Sequence, residues 1–453
     1  MVKTRREFIS LAVASGIALQ FSAPVFAAAS QRKTREKRAV PPEATVITQV
    51  FGDGIRATGL ALYYPEPVDG AQLNIHDFTV TGRRITGIFT SESSDPAGRS
   101  SRGRYVIVQL SPEDKNAPLA RKVPDNGKNN AGSGPGGPGK AGSVPVTDTV
   151  YPAPTLTYQQ TGTLPLANGH TVAPEQTAEH STAVNNLIVD DFRQLEFHDP
   201  KTDRHLKYNL FVPAGYTAER AWPLVLFMHD AGATSDVTRT TLYQGLGAVC
   251  WASPEDQAKR PCFVLAPQYD EIIADDDNQT SSMMETTINL IRHLSETYNI
   301  DSKRRYTTGQ SGGCMMSIAM DIHYPGFFAA SLLVAGQWDP AQVKPLASQN
   351  LWIVVSEDDA KAWPGENAIV AELEKYGAKI TRAEWDGTWD AAQFRQAFNR
   401  MDTRHTPINY VTFRKGTVIP AGESTAGASG HRNTWRIAYT IEPLREWIFR
   451  QHL

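Results

Sequence analysis

The stretch "RRYTTGQSGGCMM" (residues 304–316) constrains the fold more than any other part of the chain. A β-branched run through Thr307 and Thr308 leads into Gly309, then Ser311, then a glycine pair and an apolar segment. This pattern predicts a strand that passes into a helix through a turn so tight that only glycine leaves room for the crossing. Joins of this kind belong to parallel sheets with helices packed on them. The rest of the C-terminal half agrees. "PLVLFMH", "SLLVAG", "NLWIVVS" and "INYVTFRK" read as buried strands. "MMETTINLIRHLSETY" carries Ile288, Ile291, Leu294 and Tyr298 at helical spacing. "GENAIVAELEKYG" reads as a helix ended by glycine. "TWRIAYTIEPLREWIF" reads as the last helix, with Pro443 at a kink or break. The expectation is an α/β domain over residues 196–453.

Residues 45–195 have a different texture. "TVITQVFGDG", "RATGLALYY", "FTVTGRRITGIFT" and "RYVIVQLS" are short β-branched and aromatic runs broken by Gly, Pro, Asp and Ser. They predict a small all-β sandwich. "TLTYQQTGTLPL" and "NNLIVDDFRQLEF" also read as strands, so the Gly/Pro-rich segment 124–145 is taken as a loop inside this domain, with a linker as the other reading. Residues 1–29 look like an export signal. Arg5 and Arg6 form a basic start, "LAVASGIALQF" is apolar but shorter than the ~20 residues a membrane span needs, and small residues follow. The arginine pair followed by Phe8 resembles a twin-arginine signal, cleaved after Ala27 or Ala29; a plain secretory signal or uncleaved anchor is the alternative. Residues 30–44 read as a disordered stub. The expected location is periplasmic or secreted, without stable membrane insertion after cleavage.

The formal net charge of −3 creates no field for nucleic acid or anionic membrane. Hydrophobic residues at 41% give ample core. Three cysteines are present, and Cys250 with Cys262 is either a disulfide, which export would permit, or two buried thiols; Cys314 is left over. The chain has no CxxC pair, and "ADDDNQ" (residues 274–279) lacks the EF-hand pattern. Neither metal nor cofactor is expected.

The chemistry centres on Ser311 within "GQSGG". A nucleophile elbow places its serine on a strained turn, with the amides of the following helix facing a developing oxyanion. The serine needs a base, and the base an orienting acid; where a serine of this kind sits on a strand-to-helix elbow of an α/β sheet, the chain order is serine, acid, histidine. Three late histidines follow: His405, His431 and His452. His431, in the small-residue loop "ASGHRNTW", is the candidate base. His405 precedes a strand at the wrong sheet edge, and His452 is penultimate. "NLWIVVSEDDAKAW" supplies Glu357, Asp358 and Asp359 at a strand end, with Asp359 preferred, Asp358 second and Asp339 a weaker rival. "LFMHDAGA" supplies a second oxyanion donor, the amide of Ala231, beside that of Gly312; His229 reads as a brace for this loop. Trp338 and Trp363 are candidates for lining the substrate pocket.

With these motifs the chain resembles exported α/β-hydrolase esterases that carry an immunoglobulin-like N-terminal domain, relatives of feruloyl esterases and polyhydroxyalkanoate depolymerases and, distantly, of prolyl-oligopeptidase-type peptidases. The resemblance rests on "LKYNLFVPAGY" leading to "WPLVLFMHDAGA", on "RRYTTGQSGG" and on "GHRNTW". It implies a triad of Ser311, Asp359 and His431. The commoner oxyanion loop has His-Gly where this chain has His229-Asp230, and aspartate tolerates unusual backbone angles. The expected activity is hydrolysis of a small or polymeric ester through an acyl-enzyme. The alternatives are a serine peptidase of the same fold, or a binding or adhesion protein with an inactive hydrolase domain. The β domain is expected to shield the site, bind polymer or mediate a homo-oligomer.

Overall fold

The computed structural model describes residues 43–123, 139–145 and 149–453. The export-signal reading of residues 1–29, and most of the stub and of the Gly-rich segment, therefore lie outside the described residues. The first strand already begins at Ala44, which is buried, one residue inside the expected stub.

Ala44–Phe51 and Gly54–Asp69 form an antiparallel hairpin across the two-residue turn Gly52-Asp53. They lie in a six-stranded sheet in the order Ala183–Asn186, Ala44–Phe51, Gly54–Asp69, Arg102–Leu110, Ile85–Ser91, Arg99–Ser100. A three-stranded sheet of Glu179–His180, Thr157–Gln160 and Phe78–Val80 accompanies it. Alternation sets what each strand buries. Val46, Leu60, Val106 and Val108 share one core with Phe78, Val80 and Tyr158 of the smaller sheet, while Ile47, Ala61 and Ile107 form a separate cluster with Phe89.

The C-terminal sheet has nine strands: β1 Arg193–Asp199, β2 Arg204–Phe211, β3 Trp222–Met228, β4 Phe263–Gln268, β5 Ile300–Gln310, β6 Ala330–Val334, β7 Leu351–Ser356, β8 Ile380–Trp385 and β9 Ile408–Phe413. Their spatial order is β1-β2-β4-β3-β5-β6-β7-β9-β8. β2 pairs antiparallel with both β1 and β4, and the remaining pairs are parallel. "NNLIVDDFRQLEF" is thus split between the two units: Ala183–Asn186 joins the N-terminal sheet and Arg193–Asp199 opens the C-terminal one.

β3, β4, β6 and β7 are buried along their whole length, as expected of parallel strands covered on both faces. Leu224, Leu226 and Met228 share a core with Ile288, Leu290 and Ile291 of the helix α4 (Met283–Thr297). Val225 and Phe227, facing the other way, share theirs with the short helix α2 (Leu246–Ala252) and with the C-terminal pair α8 (Ser429–Ala438) and α9 (Glu442–Phe449). The last helical segment is therefore two helices, with Pro443 in the first turn of α9, where its missing N–H costs nothing. Between α2 and α8, in chain order, lie α3 (Pro254–Lys259), α4, α5 (Gly312–His323), α6 (Ala362–Lys375) and α7 (Ala391–Asp402); α1 (Thr240–Tyr243) precedes α2. Among the described residues no helix is long and apolar enough to cross a membrane.

Candidate active site

β5 delivers Ser311 at its C-terminal end, and α5 begins at the next residue. Ser311 has φ 52° and ψ −118°, outside the regions a serine prefers. Its neighbours explain how so abrupt a turn closes. A Cβ on Gly309 would stand 2.3 Å from the Gly313 carbonyl carbon, and one on Gly313 would stand 1.9 Å from the Met228 oxygen of β3. Both sites must be glycine for strand and helix to cross at this distance.

His431 Nε2 lies 2.8 Å from Ser311 Oγ, and His431 Nδ1 is hydrogen-bonded to Asp359 Oδ2. Asp359 follows β7 and is buried. Its Oδ1 accepts from the backbone amides of Lys361 (3.1 Å) and Ala362 (2.9 Å), which leaves Oδ2 for the imidazole. Burial pushes this carboxyl up. The His431 ring and the two amides outweigh it and hold the group below the ordinary carboxylate range. A carboxylate on Nδ1 keeps the proton there, so that Nε2 is free to accept from the serine hydroxyl.

The rival acids are engaged elsewhere. Asp358 Oδ2 accepts from Gly416 N at 2.7 Å, Glu357 Oε2 from Lys415 N at 3.0 Å, and Asp339 caps a 3-10 turn through Ala341 N at 2.9 Å. His405 and His452 are exposed and apart from this group. His431 sits not in a loop but in the first turn of α8. Gly430 makes this placement feasible, because a Cβ there would stand 2.5 Å from the Asp358 oxygen.

Two amides flank the serine. Gly312 N opens α5 and Ala231 N opens the 3-10 turn Ala231–Ala233 after β3, so neither has an acceptor within its own helix. Ala231 N lies 3.7 Å from the point where a Cβ on Gly312 would stand. Asp230 has ordinary extended angles (φ −74°, ψ 166°), so the tolerance for unusual angles expected of it is not used. Its side chain ties the loop down instead: Oδ2 accepts from Gly232 N at 3.0 Å and Oδ1 from Gln310 Nε2 at 2.8 Å. His229 is buried, with Nε2 accepting from Tyr269 N (3.0 Å) and Nδ1 bonded to the Asp230 oxygen (2.8 Å). Burial pushes its pKa down, so it braces the loop as a neutral ring.

A cavity of about 550 Å³ opens beside Ser311 and His431, with Gln337, Lys361, Arg432 and Trp435 in its wall. Trp338 and Trp363 do not line it. Trp338 is buried, with its indole N–H on Gln342 Oε1 at 3.2 Å, and Trp363 packs against the core. The aromatic wall comes from Trp435, which meets the His431 ring edge-on at 4.9 Å between centroids. Its signal was the spacing of four from His431, which becomes a shared face only once that segment is helical. The acidic segment 274–279, which lacks the EF-hand pattern, contributes to the site's wall instead. Asp276 lines the same cavity, paired with Lys361 and accepting from Gln337 at 3.1 Å. Asp275 is buried and accepts from the amides of Ala141, Asp277 and Gln279. Among the described residues no cluster suits a metal ion.

The Cys250–Cys262 bridge is not formed. All three cysteines are free and buried. Cys250 Sγ faces the Gly247 oxygen at 3.9 Å, Cys262 Sγ accepts from Gln257 at 3.4 Å, and burial pushes the Cys250 thiol up to about 12.

Residues 43–173 match the sequence profile of the esterase Ig-like N-terminal domain. The N-terminal unit is Ig-like. Among solved structures, a thermostable esterase is similar to the Ig-like domain and the C-terminal sheet together, at 25% identity over 91% of this chain and 100% of its own, with TM-score 0.74. The feruloyl esterase module from Clostridium thermocellum is more distant, at 10% identity over 56% of this chain and 86% of its own, with TM-score 0.39. A ferulic acid esterase from Anaeromyces mucronatus stands at 12% over 55% and 90%, with TM-score 0.36. No curated protein matches the chain by sequence. The resemblance to esterases with an Ig-like N-terminal domain thus extends over nearly the whole chain.

Proposed function

We propose that the chain is an exported serine carboxylesterase with an α/β-hydrolase catalytic domain. The observation that carries this is the 2.8 Å approach of His431 Nε2 to Ser311 Oγ, with Asp359 on the other ring nitrogen. A nucleophile after β5, an acid after β7 and a histidine after the last strand follow the chain order of that fold. The whole-length likeness to a thermostable esterase supports an ester as substrate.

Ser311 Oγ attacks the ester carbonyl carbon while His431 takes its proton. The oxyanion is met by the amides of Ala231 and Gly312. As the tetrahedral species collapses, the bond to the alcohol oxygen breaks and His431 gives it the proton. Water, deprotonated by the same ring, then attacks the acyl-enzyme, releasing the acid and restoring the hydroxyl. Asp359 holds the imidazole and stabilises its charged form.

A fluorophosphonate probe tests the mechanism. Attack by Ser311 expels fluoride and leaves one phosphonyl group on the peptide containing residue 311. Labelling elsewhere, or none, contradicts it. Replacing Arg5 and Arg6 by lysine tests the export route, and full-length protein retained in the cytoplasm is the expected result.

A further inference from the structure

The turn joining the first two strands of the Ig-like domain lies against the helix that carries His431. A Cβ on Gly52 would stand 2.7 Å from the Arg436 oxygen of α8. From the other side, a Cβ on Gly245 would stand 3.2 Å from the Gly52 oxygen. Gly54 closes the turn at φ +124°, which L side chains rarely adopt, and a Cβ there would stand 3.5 Å from the Tyr243 oxygen. The turn is therefore wedged, backbone on backbone, between the α1–α2 junction and α8.

Both walls of the wedge lead to reacting groups. Arg436 lies on the same helix as His431. In the junction, Gln244 Oε1 accepts from Gln310 Nε2 at 3.1 Å. Gln310 immediately precedes Ser311, and the same nitrogen donates to Asp230, the residue before the Ala231 amide. At the start of α8, Gly430 packs on the Asp358 backbone. The helix is thus bounded by the acid loop at its first turn and by the Ig-like turn further along, with no flexible side chain at either contact to absorb a shift.

We propose that the Ig-like domain positions the catalytic histidine: the Gly52 turn sets the place of α8 and so the Ser311–His431 distance. The inference rests on the hydrolase reading of the site. A methyl group 2.7 Å from a carbonyl oxygen must move something, because real Cβ contacts essentially never come below 3.0 Å. A misplacement of about 1 Å at a reacting group costs about 100-fold in rate.

The test uses the full mature chain. Gly52→Ala and Gly245→Ala are compared with Gly87→Ala, also in the Ig-like domain, where the added methyl meets the movable Gln109 side chain, with its Oε1 nearest at 2.4 Å, rather than backbone. Three quantities are read: thermal unfolding, kcat and KM on a short chromogenic ester, and the low-field proton NMR signal of the His431–Asp359 hydrogen bond. Gly52→Ala is expected to lower kcat about 10-fold or more while KM changes less than about twofold, and to shift the low-field signal. Gly245→Ala gives a smaller change of the same kind, and Gly87→Ala neither. If Gly52→Ala does not fold, Gly245→Ala decides by the same readouts. A folded variant at Gly52 or Gly245 with wild-type kcat and an unmoved signal overturns the proposal. A wild type that hydrolyses no ester would overturn the functional reading instead, and the low-field signal would still judge the positioning.

Discussion

Ser311 holds a backbone conformation that costs about 1–3 kcal/mol for a residue with a side chain. The strain is held by the glycines around it, and it lifts the hydroxyl out of the sheet toward His431. Asp359 shows how a neighbouring carboxylate can differ in role without differing in kind. Two backbone amides occupy its Oδ1, so Oδ2 meets the imidazole, whereas Asp358 spends its own Oδ2 on Gly416 N. Asp359→Asn removes the acceptor that keeps the proton on Nδ1. It should lower kcat by about 10³–10⁴ with a modest change in KM, and Asp358→Asn far less; steady-state kinetics on both variants checks this. A second titrating residue acts on stability. Asp321 is buried against Ser331 and its pKa is raised by that burial to about 7. Unfolded, it would ionise near the usual value of about 3.9. Between those values the native state binds the extra proton, so stability falls as pH rises from about 4 to 7. Asp321→Asn should remove that slope and exceed the wild type by about 1–3 kcal/mol above pH 7, read by denaturant unfolding across pH.

At the scale of elements, the join of β5 to α5 was legible in the sequence because its cause is local. Gly309 and Gly313 declare a close crossing before any tertiary contact is known. Gly309→Ala or Gly313→Ala should destabilise by more than about 3 kcal/mol or prevent folding, because each methyl would meet backbone rather than a movable side chain. The helix α8 was not legible at its start. "ASGHRN" is small and polar and reads as loop, and its helical turn depends on Gly430 fitting against Asp358, residues far apart in sequence. Gly430→Ala should therefore lower kcat by about 10-fold or more while costing less stability than the elbow glycines, which a melt and a rate on the same sample will show. The same non-local dependence explains the tryptophans. Trp338 and Trp363 follow strands that end near the site, yet the first is buried in the core and the second packs against it, and the cavity takes Trp435 instead.

The whole molecule couples an Ig-like domain to a nine-stranded sheet through shared core and through contacts of backbone on backbone. Strand texture marked two units, but "NNLIVDDFRQLEF" gave no sign that the chain changes sheets inside it, because both halves are equally strand-like. Cysteine count left the bridge open, and the buried surroundings of Cys250 and Cys262 resolve it toward free thiols. Folded protein should accordingly leave all three thiols unreactive toward a thiol reagent and melt at the same temperature with or without reductant. Release of thiols only after reduction would restore the bridge. The central claim is that Ser311 is the nucleophile of an ester hydrolase. Its most direct measurement is the rate of short-chain chromogenic ester hydrolysis by the mature protein beside Ser311→Ala. The account predicts an active wild type and a variant slower by about 10⁶ in turnover; equal rates for the two proteins would contradict it.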